Sequence, residues 1–233
     1  MIAVIVPAHN EERLLGACMH RLRVAASHAA LAGEEVEVVI ALDRCSDASE
    51  RIARAAGVHT VRVDAGNVGV ARATATTHAL ALGARWIAST DADSLVPHDW
   101  LAGQLRRGCD AFCGIVTVED WLDYDAATIA AFAGPAPPAD GHRHIYGANF
   151  GISADAYRRC GGFAPLACSE DVAIVRALEA IDARIDWSAT PRVVTSARRD
   201  ARARGGFGDY LKALEDLVHG RKPMAGHVLP VLA

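Results

Sequence analysis

The residues that first suggest chemistry stand in Ser-Thr-Asp-Ala-Asp-Ser, 89–94, where an apolar run ends in two carboxylates one residue apart. In extended backbone, side chains at i and i+2 point the same way. Unopposed, Asp91 and Asp93 repel, and one of them takes up a proton. A divalent cation removes that penalty, and hard oxygen ligands select Mg2+ or Mn2+. The pair therefore offers a metal clamp for a diphosphate. The plainer alternative is a polar turn in which Asp93 caps the next helix. More polar residues follow other apolar runs: His9-Asn10-Glu11 after the first and Asp43 after the second.

The pattern predicts how these residues are positioned. IAVIVP (2–7), EVVIAL (37–42), VHTVRV (58–63) and RWIAST (85–90) read as strands. Between them, Leu14, Leu15, Cys18, Leu22 and Ala25 fall at helical spacing over 11–30. A second helix, capped by Ser46 or Asp47, runs to Ala56, and an Ala-rich third over 69–83 ends at Gly83. Pro97 opens a fourth. This alternation predicts an α/β fold with a mostly parallel sheet flanked by helices, in which ligands bind outside the carboxyl ends of the strands. The second half is less regular: strands over 110–118 and 147–153, and helices over 120–133, from 154 to the Gly161-Gly162 stop, over 169–181 with Ser169 as N-cap, and over 206–218. The Pro- and Gly-rich 134–144 stretch is a loop. No repeat or boundary divides the chain, so a single domain over 1–233 is expected.

Composition excludes some classes. The 233 residues are 52% hydrophobic and 22% charged, with a net charge of −4, which gives no footprint for nucleic acid. Six cysteines (18, 45, 109, 113, 160 and 168) form no C-x-x-C and no zinc spacing, and read as buried free thiols of a reducing cytoplasm. The N-terminus resembles no signal peptide, and no window approaches a membrane span. The apolar tail HVLPVLA would pack on the body or touch a membrane surface, leaving a cytoplasmic protein, peripheral at most. The Gly-rich dinucleotide turn, the P-loop and the G-x-S-x-G elbow are all missing.

Six segments in order resemble family 2 glycosyltransferases of the GT-A fold: VIVPAHNEERLL, IALDRCSDAS, NVGVARA, STDADS, YGANFGISADAYRRCGGF and SEDVAIVRAL. The resemblance implies a nucleotide-sugar-binding half over about 1–95 and an acceptor and catalytic half over about 96–220. It implies transfer of a sugar from a nucleoside-diphosphate sugar to an acceptor hydroxyl, metal-dependent and with inversion. The acceptor would be a small metabolite, a lipid carrier or a glycan. Pro7, Ala8, Asn10, Glu11 and Asp43 would contact base and ribose, and Arg72 the nucleotide or its phosphates. Asp93 would bind Mn2+ or Mg2+ directly, with Asp91 and neighbouring Ala92 at the ribose or reaching the metal through water. Asp171 would be the base and Glu170 would orient acceptor or backbone.

On the acceptor side, Asn149 would reach donor sugar or acceptor. Arg198, Arg199, Arg202 and Arg204 precede Gly205-Gly206 and would close over the diphosphate, with Arg199 and Arg202 the named contacts. Trp100 and Trp121 offer sugar-stacking rings or core, and His142 or His144 a second possible base. The Gln-x-x-Arg-Trp of processive members is missing, which points to non-processive transfer. Three competing readings remain at this level: a nucleotidyltransferase making a nucleotide-sugar, an Asp-nucleophile phosphatase, and a non-catalytic nucleotide-sugar-binding protein.

Overall fold

The computed structural model describes residues 1–203 and 205–221. Arg204 and the HVLPVLA tail lie outside the described residues. In chain order the elements are β1 (Ile2–Ala8), α1 (Leu15–Ala26), β2 (Val36–Asp43), α2 (Ser49–Ala55), β3 (His59–Val63), α3 (Val68–Ala81), β4 (Trp86–Ser89), α4 (Trp100–Leu105), β5 (Ala111–Thr117), α5 (Ala126–Ala133), β6 (Phe150–Ser153), α6 (Ala154–Cys160), α7 (Glu170–Glu179), β7 (Ile185–Val194) and α8 (Phe207–Val218). The sheet runs β3-β2-β1-β4-β6-β5-β7. β1, β2, β3 and β4 pair in parallel, as do β5 and β7, and β6 is antiparallel to both its neighbours. None of the helices among the described residues is long and apolar enough to cross a membrane.

Period-two alternation builds the two layers. Ile2, Val4 and Val6 of β1 face a core with Leu15, Leu22, Ile40 and Trp100. Ala3 and Ile5 face the other, with Ala71, Ala75, Phe150, Ile174 and Leu178. The small residues of α3 let that helix lie close on the sheet. Gly69 shows the limit: a Cβ there would sit 2.2 Å from the Ala164 carbonyl oxygen. Asn67 caps α3 by accepting from the Val70 N–H (3.0 Å) and donates to the Pro165 carbonyl (3.1 Å). The Asn-x-Gly segment thus clamps α3 to the chain after the Gly161-Gly162 stop.

Four expectations are corrected. β7 is absent from the sequence pattern, because Asp186, Ser188, Thr190, Pro191 and Arg192 interrupt its apolar run. α1 starts at Leu15, because Asn10 takes a left-handed φ of 54° and residues 12–14 form a turn. α5 starts at Ala126, capped by Asp125, which accepts from the Thr128 N–H at 2.8 Å. All six cysteines are free, but just Cys18 and Cys113 are buried, the other four being partly exposed.

Candidate active site

The chain leaves β1 for β2 and β3 on one side and returns to β4 on the other, so the sheet's switch point lies between β1 and β4. Their carboxyl ends are joined by the Thr90 N–H to Ile5 carbonyl bond, 3.3 Å. There the backbone leaves the strand: Asp91 accepts from the Ser94 N–H through its carbonyl (3.1 Å), and Ala92 and Asp93 form a turn with Ala92 buried. The two aspartates are therefore brought together by a turn, not by extended backbone. Burial pushes the Asp93 carboxyl up to about 7, opposed by Arg198 and reinforced by Asp91 and Glu11. Arg198 Nη2 lies 3.1 Å from Asp93 and donates to Glu11 at 2.5 Å, and its Nη1 donates to Glu11 at 2.6 Å.

The loops after β1 and β2 are stitched together. Asn10 Oδ1 accepts from the N–H groups of Ser46 (2.8 Å) and Asp47 (3.3 Å). The Glu12 N–H donates to Asp47 (2.9 Å), and Glu12 accepts from the Ala48 N–H (2.9 Å). Asp47 also accepts from the Ser49 N–H at 2.9 Å and so serves the start of α2, where Ser46 does not. The Glu11 N–H donates to Ser49 Oγ (2.8 Å), and His9 Nδ1 meets the Asp43 carbonyl (2.7 Å). Pro7 and Ala8 end β1 in register with Ala41 and Leu42.

The Asp43 carboxylate accepts from three successive N–H groups, those of Ala65, Gly66 and Asn67, at 2.9, 2.9 and 2.8 Å. Burial by itself would raise this carboxyl. The three bonds and Arg44 outweigh it, and the carboxyl stays below its ordinary value. Asp43 thereby shapes the turn that launches α3. Asp43→Asn is expected to cost about 2 kcal/mol, the scale of hydrogen bonds to a charged group, which lowers Tm by roughly 4–8 °C. The lowered carboxyl gives a stabilisation present above the unfolded pKa and lost as pH falls through the folded one. Thermal melts of both proteins should accordingly differ at pH 7 and converge in acid.

Arg72 joins the two halves. It is 3% exposed. Its Nε donates to Glu170 (2.9 Å), Nη2 to Asp91 (2.6 Å) and Nη1 to Ser89 Oγ. A Cβ at Gly147 would lie 2.6 Å from Nη2, so the glycine of Tyr-Gly-Ala-Asn is where the guanidinium passes. The Gly147 N–H donates to Asp171 Oδ2 and the Val172 N–H to Oδ1, both at 2.8 Å. Burial pushes the Asp171 carboxyl above its ordinary value, against Arg72 and these two N–H groups. Each oxygen keeps a lone pair free. Ser169, expected as the N-cap of α7, sits at φ 61° and makes no side-chain cap bond.

Several expected contacts are not brought to the site. Each nitrogen of Arg72 has a partner in the wall, and the side chain ties Asp91 to Glu170. Glu170 correspondingly holds Arg72. Asn149 is fully buried: Oδ1 accepts from Trp100 Nε1 (2.9 Å), and Nδ2 donates to the carbonyls of Ile115 (2.8 Å) and Pro191 (2.9 Å). It is a polar rivet of the core. Arg199 pairs with Asp123 (2.8 Å) and Glu215 (2.7 Å) and lies 4.0 Å over Tyr124, tying α8 to the loop before α5. Arg202 pairs with neighbouring Asp200 (2.9 Å). Trp100 is fully buried, and Trp121 packs edge-on to Tyr124 and Phe132. His142 spends both ring nitrogens, on the Ser188 carbonyl (3.1 Å) and the His144 N–H (3.2 Å), and His144 stacks on Tyr146.

Gly147 and Ser49 were not assigned from sequence, and Arg198 was expected only as one of four arginines near the diphosphate, not as the partner of Glu11 and Asp93. Nothing in a run of four arginines singles out Arg198 while β7, which delivers it, is unrecognised. A shallow apolar groove lined by Val61, Val70, Ala73, Thr77 and Phe163 lies on the outer face of α3 and holds none of the acids described.

Asp91 and Asp93 present hard carboxylate oxygens on the turn after β4. These residues fit a divalent cation. No group of three His, Cys, Asp or Glu among the described residues closes a cage. The remaining positions would fall to diphosphate oxygens and water, as is usual for Mg2+.

A mostly parallel seven-stranded α/β sheet flanked by helices, with acidic residues gathered at its switch point, is a GT-A fold. The chain belongs to glycosyl transferase family 2, whose sequence profile matches residues 3–126, more than half of its length. No curated protein matches the sequence significantly. Among solved structures it is similar to TarS (residues 1–349) from S. aureus in complex with UDP-GlcNAc, with TM-score 0.65, 15% identity, and 93% of this chain and 66% of that one covered. It is also similar to the mannosyltransferase PcManGT from Pyrobaculum calidifontis in complex with GDP-Man and Mn2+: TM-score 0.64, 18% identity, 94% and 62% covered. A third is glucosyl-3-phosphoglycerate synthase from Mycobacterium tuberculosis with Mn2+, UDP and glucosyl-3-phosphoglycerate: TM-score 0.56, 19% identity, 94% and 77% covered. The chain thus spans slightly less than two thirds of the length of the first two.

Proposed function

We propose that the protein transfers a sugar from a nucleoside-diphosphate sugar to an acceptor hydroxyl, with inversion and one transfer per encounter. The observation that carries this reading is the Arg72 bridge, which couples the acidic turn after β4 to the Glu170-Asp171 pair of α7. The Pro7–Glu11 turn and the Asp43 region would hold base and ribose, and Asp91 and Asp93 a divalent cation. When bound, that cation supplies positive charge to the diphosphate. Asp171 accepts the acceptor's proton as the oxygen attacks the anomeric carbon. The bond from that carbon to the phosphate oxygen breaks, and its electron pair leaves with the nucleoside diphosphate. One displacement from the opposite face inverts the centre. Gly147 and Val172 fix the Asp171 carboxylate by their N–H groups, leaving it no rotation to make during the step.

A thermal-shift screen of nucleoside diphosphates with and without Mn2+ tests this reading. At a hundred times Kd a ligand stabilises by about 2.7 kcal/mol, which raises Tm by roughly 5–10 °C for a chain of this size. One diphosphate should give this shift with Mn2+, and Asp93→Ala should lose most of it. No shift from any diphosphate would overturn the reading.

A further inference from the structure

Glu11, Asp91 and Asp93 place three carboxylates at the carboxyl ends of β1 and β4, and two arginines answer them in different ways. Arg72 is buried in the wall and has three partners there. Arg198 reaches in from the segment between β7 and α8, 187 residues away along the chain from Glu11, and its side chain is 23% exposed. It forks across both oxygens of Glu11 and extends to Asp93, whose side chains are 6% and 13% exposed. Its guanidinium therefore covers the Asp93 carboxylate that a metal would need.

Resting on the reading above, we propose that Arg198 is the resident counter-ion of Asp93 and Glu11, holding divalent cations off the nucleotide-free site until a diphosphate arrives. A guanidinium and a divalent cation at one carboxylate repel each other, so metal entry requires Arg198 to leave. Leaving exposes its charge to no acid of the cleft, unless a diphosphate is present to receive it. Arginine's planar fork suits phosphate as well as it suits the Glu11 carboxylate. Metal and diphosphate then each create the other's vacancy. By linkage, each must raise the other's affinity by the same factor. Asp91 is outside this exchange, because Arg72 is fixed by Glu170 and Ser89.

The test is a titration of the whole chain with Mn2+, reading free Mn2+ by electron paramagnetic resonance, alone and with saturating UDP or GDP. Wild type should bind Mn2+ weakly alone and at least ten-fold more tightly with the diphosphate that binds. Arg198→Gln should bind Mn2+ alone about ten-fold more tightly than wild type, and its enhancement by diphosphate should shrink. Arg198→Lys, which keeps a cation at Glu11 and Asp93, should stay near wild type. Circular dichroism confirms folding of each variant, and if the Gln variant unfolds, Arg198→Met takes its place in the same titration. Mn2+ affinity in the nucleotide-free Gln variant equal to or below that of wild type would overturn the proposal and leave Arg198 a structural tie. Failure of the transferase reading shows separately, as a wild-type Mn2+ affinity that no diphosphate changes.

Discussion

Replacing Asp171 by Asn is expected to slow sugar transfer by about 10²–10⁴-fold, while nucleoside-diphosphate binding changes less than two-fold. The acceptor hydroxyl must lose its proton as it attacks, and an amide accepts none. In the proposed reading the donor would bind at the ends of β1 and β4, across the Arg72 bridge from the Asp171 carboxylate. The substitution also has a structural cost. An amide oxygen can serve the Gly147 or the Val172 N–H, and the amide nitrogen then faces the other donor. A mismatched buried donor costs about 1–3 kcal/mol, so a lower Tm should accompany the lost turnover. The pH profile separates the two effects. Burial raises the Asp171 carboxyl, so wild-type turnover should fall with decreasing pH through a limb lying above the ordinary carboxylate range. Turnover measured with the donor that the thermal-shift screen selects checks both points. An unchanged rate in the Asn variant would remove Asp171 from the chemistry.

Much of this was legible because each half of the site follows a strong local signal. The apolar runs of β1, β2 and β4 are buried on both faces, and their polar ends mark the cleft directly. Glu11, Asp43, Asp91 and Asp93 stood out by their position after apolar runs, whereas Glu170 and Asp171 were singled out only through the resemblance to family 2 glycosyltransferases. What could not be read was set by partners distant in sequence. Asn149 looks like a polar residue at a strand start, but three groups from Trp100, Ile115 and Pro191 consume it. Arg199 looks like a free cation, but Asp123, Glu215 and Tyr124 surround it. Its neighbour Arg198 is the one that enters the cleft. Choosing between them requires the end of β7, whose polar interruptions carry no strand period. Arg72 was expected at the nucleotide or its phosphates and not as a bridge, because its partner Glu170 lies 98 residues further on.

Arg72→Met is expected to destabilise the protein by about 3–5 kcal/mol, the cost of removing one partner from a buried ion pair. For this chain length that is a fall in Tm of roughly 6–20 °C. The argument concerns what remains, not the worth of the pair. A buried salt bridge adds little over a well-packed apolar core. Without the guanidinium, however, Glu170 (4% exposed) keeps a charge with no counter-ion, and Ser89 loses its donor. The sign of the pH dependence follows. Burial already raises the Glu170 carboxyl, and the variant removes the Arg72 charge that opposes it, so its folded-state pKa rises further above the unfolded value. The penalty is then small in acid, where Glu170 is protonated, and grows as pH climbs through the ordinary carboxylate range toward the raised value. Melts at pH 5 and pH 8 should show a larger deficit at the higher pH. Equal deficits would mean that Arg72 acts by filling space beside Gly147. A deficit that grows with pH would mean that its charge holds the two acidic halves of the cleft together. The acidic turn and the base would then be coupled through one side chain, and donor site and catalytic carboxylate could not shift independently.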